Sequence, residues 1–323
     1  MMHINNKFRN ILSAIINTHK DDLNITSDHW GNEAGTWEIG RGIHWTEHIA
    51  VQERINSKSS GDPHIDPYQY FINYLKSDGI NFPLARCLTL GCGAGDLERG
   101  LSKYNFCLQH DACDISDGAI KKAKEKASEK GLSHISYEVV DVNEIRLPPC
   151  SYNVVFGVSS IHHLNNLEYV FSEIRKSLNP DGFFFLNEYV GPTKFQWSDK
   201  QLDLINHILS ILPEKYRISR RSRILKTKCV RPTIVEMNTV DPSEAVRSED
   251  IMKLLPLYFD IIDMKLLGGT ILHSLLEDIV GNFDWKKDED IKLLKLLFEI
   301  EDTLIEIGEI ESDFILVIAK NKS

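Results

Sequence analysis

Residues 87–95 read Cys87-Leu88-Thr89-Leu90-Gly91-Cys92-Gly93-Ala94-Gly95, followed by Asp96-Leu97-Glu98. The apolar residues Leu88 and Leu90 predict a buried strand, and three glycines then lead straight into a helix-forming segment. Glycines at 91, 93 and 95 can turn tightly, tolerate positive φ and leave no Cβ in a ligand's way. The helix behind them presents free N–H groups. The spacing G-x-G-x-G misses the dinucleotide pattern G-x-G-x-x-G, so the loop alone names no ligand.

The second half of the signal lies downstream. Residues 106–113 predict a neighbouring strand, with Asp114 at its C-terminal end. A carboxylate about 20 residues after a glycine loop, at the tip of the adjacent strand, is where a nucleoside-binding α/β unit grips ribose hydroxyls. One carboxylate can accept from both hydroxyls at once.

With three further segments the chain resembles the class I S-adenosylmethionine-dependent methyltransferases. The matching pieces, in order, are Leu90–Leu97, Cys113–Lys124, Val140-Asp141-Val142, Tyr152–Val158 and Leu178–Leu186. The resemblance covers residues 84–190 and points to small-molecule or sugar-type bacterial members. It implies S-adenosyl-L-methionine as cofactor, with the loop of Gly91, Cys92, Gly93 and Gly95 under its methionine part. It also implies Asp114 with Ile115 at the ribose, Asp141 with Val142 at the adenine, and Gly157 in the cofactor wall. Two positions depart from the family pattern: Thr89 stands where an acid often precedes the loop, and Asn153 where an acid often opens the fourth strand. Both side chains still accept hydrogen bonds.

Strands and helices alternate over 86–189, which predicts a Rossmann-like α/β fold: a mostly parallel sheet with helices on both faces. A strand at 258–266 and another at 313–319 complete an expected seven-stranded core. Residues 1–80 form an expected helical extension or lid, with a helix over 7–18, a loop-like aromatic stretch (His29, Trp30, Trp37, His44, Trp45, His48), and helices over 46–56 and 67–77. Residues 81–191 hold the cofactor unit and 192–256 a helical cap insertion, with helices over 198–212 and 243–255. Residues 257–323 carry the last strands and a helical insertion over 270–310, with helices over 271–280 and 288–307.

Among 323 residues, 42% are hydrophobic and 26% charged, as in ordinary globular proteins. No apolar run reaches membrane-spanning length, and the amphipathic start (Phe8, Ile11, Leu12, Ile15, Ile16) lacks a signal-peptide core. Six cysteines with no C-x-x-C pair predict buried thiols in a cytoplasmic protein. Neither such pairs nor an H-E-x-x-H motif is present, so no metal is expected. A net charge of −10 argues against nucleic acid as partner. One segment runs against this: residues 215–231 carry eight basic side chains and no acid. It reads as a solvated loop or as a contact for an anionic acceptor.

Methyl transfer to a hydroxyl needs a positioned nucleophile and a base. His162 and His163, just beyond the fourth strand, and Glu188, at the end of the fifth with Tyr189, are the catalytic candidates. Packing of the wall is the alternative for the histidines. His273 is a further polar candidate, Cys92 reads as a small residue that fits, and Glu173 and Asp181 read as solvated charges. The expected reaction is methylation of a small polar acceptor, anionic or carbohydrate-like, at oxygen. N-methylation of a small metabolite and cofactor binding without turnover are the alternatives, and a homodimer is left open.

Overall fold

The computed structural model describes residues 20–34, 36 and 40–322. The helix expected over 7–18 and Trp37 lie outside the described residues.

Seven strands form one sheet in the order β3-β2-β1-β4-β5-β7-β6. They are β1 (Leu84–Leu90), β2 (Cys107–Asp114), β3 (Ile135–Val139), β4 (Tyr152–Val158), β5 (Leu178–Tyr189), β6 (Phe259–Gly268) and β7 (Phe314–Asn321). β1 to β5 pair in parallel; β7 runs antiparallel between β5 and β6. The order reverses between β1 and β4, so loops leaving their C-terminal ends diverge and open a crevice there.

Both faces of the central strands are buried, which explains their continuous apolar runs. Phe156, Phe183, Phe185, Leu316 and Ile318 face one cluster with Phe71 and Leu75. The last two come from α2 (Pro67–Ser77), which follows α1 (Ile49–Ser60). Alternate residues Val155, Phe184, Ile315 and Val317 face the opposite cluster. There they meet Phe171 and Ile174, which the chain places on the helix Leu167–Ser177. The edge strand β6 alternates exposed and half-buried positions over 260–266 and carries Asp260, Asp263 and Lys265, charges that discourage edge pairing.

A separate apolar cluster holds the cap together. It joins Ile205 and Leu209 of the helix Asp199–Ile211, Leu272 and Leu276 of Leu272–Leu276, and Leu294 and Phe298 of Asp288–Glu306. One buried carboxylate locks it to the sheet. Glu301 receives Arg54 at 2.6 Å and accepts from the backbone N–H groups of Gly269, Ile271 and Leu272.

Two expectations fail locally. Residues 20–33 are helical, so His29 and Trp30 sit on a helix and not in a loop. The helix expected over 243–255 begins only at Ile251, and a separate short one covers Ile234–Val240. Thr233 and Glu236 form a capping box that starts this short helix, and Asp241-Pro242 closes it. The freed segment 241–246 then turns inward, with Ala245 at φ 47°. That break positions much of the site described next.

Candidate active site

The glycine loop leaves β1 at the crevice. Gly91 and Gly95 serve the loop's own packing. A Cβ on Gly91 would stand 2.4 Å from the Ser160 Cβ, and one on Gly95 would stand 2.4 Å from the Tyr137 hydroxyl, both at positive φ. Gly93 differs: nothing lies within 4 Å of its Cβ position, so this is the point where backbone faces open space. Gly157 lies beneath the turn that follows β4, where a Cβ would meet the Ile161 side chain at 2.5 Å. Burial pushes the Cys92 thiol well up, which keeps it protonated and unreactive.

Asp114 braces the loop. Its carboxylate accepts from the Gly93 N–H at 2.8 Å and the Ser116 N–H at 2.9 Å. Burial raises its pKa, and the hydrogen bonds from Ser116, Gly93 and Ile115 oppose the rise. Asp141 accepts from the Asn143 N–H at 2.9 Å through one oxygen, Oδ1. Val142 is buried in the sheet's core. The Ile115 carbonyl receives the Ser27 hydroxyl, and the Ser27 carbonyl receives the Ser116 hydroxyl. The helical segment 20–33 is thus fastened at the tip of β2.

Thr89 bonds His110 at 2.9 Å, and Asn153 accepts from the Arg86 N–H at 3.1 Å. A carboxylate still lies under the loop: Glu98, fully buried, with the Tyr137 hydroxyl at 3.5 Å and its pKa raised by burial. The sequence reading missed it because it comes from the helix after the loop and not from β1.

The turn beyond β4 holds the histidine pair. Glu188, 1% exposed, accepts from the Ser160 N–H at 2.6 Å, the Ile161 N–H at 2.5 Å, the Tyr189 N–H at 2.9 Å and His162 Nδ1 at 2.5 Å. A carboxylate so fully engaged positions its neighbours, and its pKa stays low because the His162 charge and these donors outweigh burial. Burial alone would lower the His162 pKa, but Glu188 and then Glu244 raise it. His163 moves the other way, lowered by burial and by the His162 charge. Adjacent rings, 4.1 Å between centroids, are therefore held in different protonation states.

The remaining members come from the cap. Glu244 Oε1 lies 3.5 Å from His162 Nε2, and Glu244 Oε2 lies 4.0 Å from His163 Nε2. His163 Nδ1 bonds the Ser243 hydroxyl at 3.0 Å, and Ser243 in turn donates to Asp241. Asp241 also accepts from Thr26 and from the Trp30 indole, each at 2.9 Å, while Trp30 meets the His163 ring edge-on. His163 Nε2 is buried with no hydrogen-bond partner. The broken helix at 241–246 is what brings Asp241, Ser243 and Glu244 against Trp30 and the histidines.

An aromatic wall continues from the histidines. His162 contacts Tyr189, which contacts Phe195, His273 and Phe314; Trp197 stacks on Phe195. Trp45 joins it through His273 and Phe314. Other residues of the predicted cluster stand apart. His44 pairs with Glu277, and His48 caps α1 and reaches the Phe283 carbonyl. Part of the basic stretch is tied down: Lys226 donates to the carbonyls of Ser274, Leu275 and Glu277, Arg221 pairs with Glu277 and Arg231 with Asp199, while Arg223 and Lys228 are exposed. Glu173 is not solvated as expected; it is buried and accepts from the Leu147 N–H.

Residues 88–186 match a family model described as a methyltransferase domain. The chain is 24% identical over 250 residues to a sterol 24-C-methyltransferase of Candida albicans, covering 67% of this chain and 63% of that protein. It is 24% identical over 106 residues to the 27-O-demethylrifamycin SV methyltransferase of Amycolatopsis mediterranei, covering 32% and 39%. Both matches span less than two thirds of the relative's length. Among solved structures, an S-adenosylmethionine-dependent methyltransferase from Mesorhizobium loti superposes with a TM-score of 0.43 at 14% identity, over 77% of this chain and 96% of that one.

Proposed function

We propose that this chain, built on a class I S-adenosylmethionine-dependent methyltransferase core, methylates a small acceptor with an apolar ring body at a nucleophilic atom facing His163. When bound, S-adenosylmethionine supplies an electrophilic methyl group on a sulfonium. Gly93, open to its surroundings, and Asp114 at the tip of β2 fit the cofactor's methionine and ribose parts, and Asp141 fits the adenine.

The observation that carries the reading is the free Nε2 of His163, buried at the C-terminal edge of the sheet while Nδ1 of the same ring is held by Ser243. His163 is neutral near pH 7 because burial and the His162 charge lower its pKa. Its Nδ1, set by Ser243 and Asp241, leaves Nε2 to take the acceptor's proton. His162, charged between Glu188 and Glu244, adds a fixed positive charge beside the developing products.

Tyr189, Phe195, Trp197 and Phe314 supply ring faces and edges for an apolar acceptor. A sterol, the acceptor in one relative's name, is of that kind. A sugar or anionic acceptor has less support, since Lys226, Arg221 and Arg231 are already occupied within the protein.

The test is methyl transfer from labelled S-adenosylmethionine to hydroxylated ring compounds and to sugars and sugar phosphates. Transfer to the ring compounds is expected, with kcat/KM falling as pH drops through a His163 pKa below the ordinary 6.5. Transfer confined to phosphorylated sugars would overturn the acceptor class. Cofactor binding without transfer to any compound would point to a binding module.

A further inference from the structure

A lone pair that is a base toward a proton is a ligand toward a metal. We infer that His162 Nε2, His163 Nε2 and the Glu244 carboxylate form a binding site for one divalent cation of the zinc type, the ion displacing the Nε2 proton that the charged His162 otherwise carries. One ligand atom from each of the three residues lies within 4.8 Å of the others. Tetrahedral zinc with bonds of about 2.0–2.1 Å sets its ligand atoms roughly 3.4 Å apart. The Glu244 separations of 3.5 Å from Oε1 to His162 Nε2 and 4.0 Å from Oε2 to His163 Nε2 are close to this.

The surroundings are those of a metal centre in their chemistry. Each imidazole is anchored through Nδ1, His162 to the Glu188 carboxylate and His163 to Ser243 backed by Asp241. Such outer partners fix ring orientation and turn Nε2 toward the ion. His163 Nε2 is buried without a partner, and it points toward Glu244. The Glu244 segment is rigidly placed: the Val246 N–H donates to the His162 carbonyl at 3.1 Å, and the Lys194 N–H to the Ala245 carbonyl at 2.7 Å. The Lys194 ammonium is turned to the Pro242 carbonyl, which leaves the Glu244 carboxylate available.

Two imidazoles and one carboxylate select zinc, iron or cobalt over magnesium or calcium, which prefer all-oxygen sets. Three protein ligands also leave one position open. On the methyl-transfer reading, which this role rests on, that position takes the acceptor's oxygen. Coordination then lowers the hydroxyl's pKa in place of proton removal by His163. With the ion bound, His163 Nε2 would be a ligand and no longer the base: the O–H proton would leave to solvent, the oxygen's electron pair would form the new bond to the methyl carbon, and the methyl–sulfur bond would break with its pair kept on sulfur as S-adenosylhomocysteine departs.

The experiment is equilibrium dialysis of the chelator-stripped full chain against zinc chloride alone, repeated with cobalt(II) for its ligand-field spectrum. One ion per chain and a tetrahedral-type cobalt spectrum are expected. Glu188→Gln should weaken binding by about 10–100-fold and His163→Ala and Glu244→Ala by more. S-adenosylhomocysteine affinity, measured by calorimetry on the same samples, should hold within about threefold in His163→Ala and Glu244→Ala and so report that they fold. No retained ion, or equal retention in Glu244→Ala, would overturn the site. Stoichiometric zinc in a protein that binds no S-adenosylhomocysteine would uphold the site and break the methyl-transfer reading instead.

Discussion

Two buried aspartates hold up the two halves of this edge; each accepts an N–H from the residue two positions on, and they differ in how far away their other partners lie. In the cofactor core Asp114 is anchored by the N–H groups of Gly93 and Ser116, 21 and 2 residues away. In the cap Asp241 is anchored by Thr26 and Trp30, 215 and 211 residues away. The first is set at the C-terminal ends of the paired strands β1 and β2. The second exists only when the helical segment 20–33, the turn after β4 and the segment 241–246 have met. On the proposed reading, cofactor binding is a property of the core and chemistry a property of the junction.

Substitutions in the junction should separate the two properties. The largest expected effect is that of His163→Ala, a drop in kcat of about 10²–10⁴ with cofactor affinity unchanged, read by steady-state kinetics beside calorimetry. Equal loss of both would mean that the junction also shapes the cofactor cleft. Next is Glu188→Ala, which strands a buried imidazolium and three backbone N–H groups. Urea unfolding should show a loss of about 3–5 kcal/mol.

Asp313 sharpens the comparison from the cap side. Burial raises its pKa to about 7, although the Gln201 amide opposes this. The folded state thus binds the proton more tightly than the unfolded chain. The stabilisation is complete below the unfolded value near 3.8 and is lost as pH rises through about 7. Asp313→Asn should flatten the fall in stability across that window, measured as denaturation midpoints from pH 4 to 8. The smallest effect belongs to Lys228→Glu on the exposed part of the basic stretch. Stability should change by less than about 0.5 kcal/mol, and the acceptor's KM should not move. A rise in KM would restore an anionic acceptor.

The same contrast explains what could be read in advance. The strand spans β2 and β4, the glycine loop and Asp114 are legible because period, turn chemistry and spacing lie within a few tens of residues. The adjacent histidines are legible as well, but not their division of labour, which depends on Glu244 some 80 positions on. Glu188 looks like a base from its strand-end position; in the structure its carboxylate accepts four hydrogen bonds, which the sequence does not signal. Thr233-x-x-Glu236 was an available signal for the short helix Ile234–Val240, and reading it would have freed segment 241–246 from the overlong helix drawn through it. Nothing local marks Trp30 as a neighbour of His163.

The central claim is that residues 84–189 carry a cofactor site governed by Asp114, independent of the junction. Calorimetry of S-adenosylhomocysteine with the wild type, Asp114→Ala and His163→Ala tests it most directly. One site per chain is expected in the wild type, a loss of affinity of about 100-fold in Asp114→Ala, where two charge-assisted hydrogen bonds disappear, and no change in His163→Ala. Unaltered affinity in Asp114→Ala, or no binding by the wild type, would contradict it.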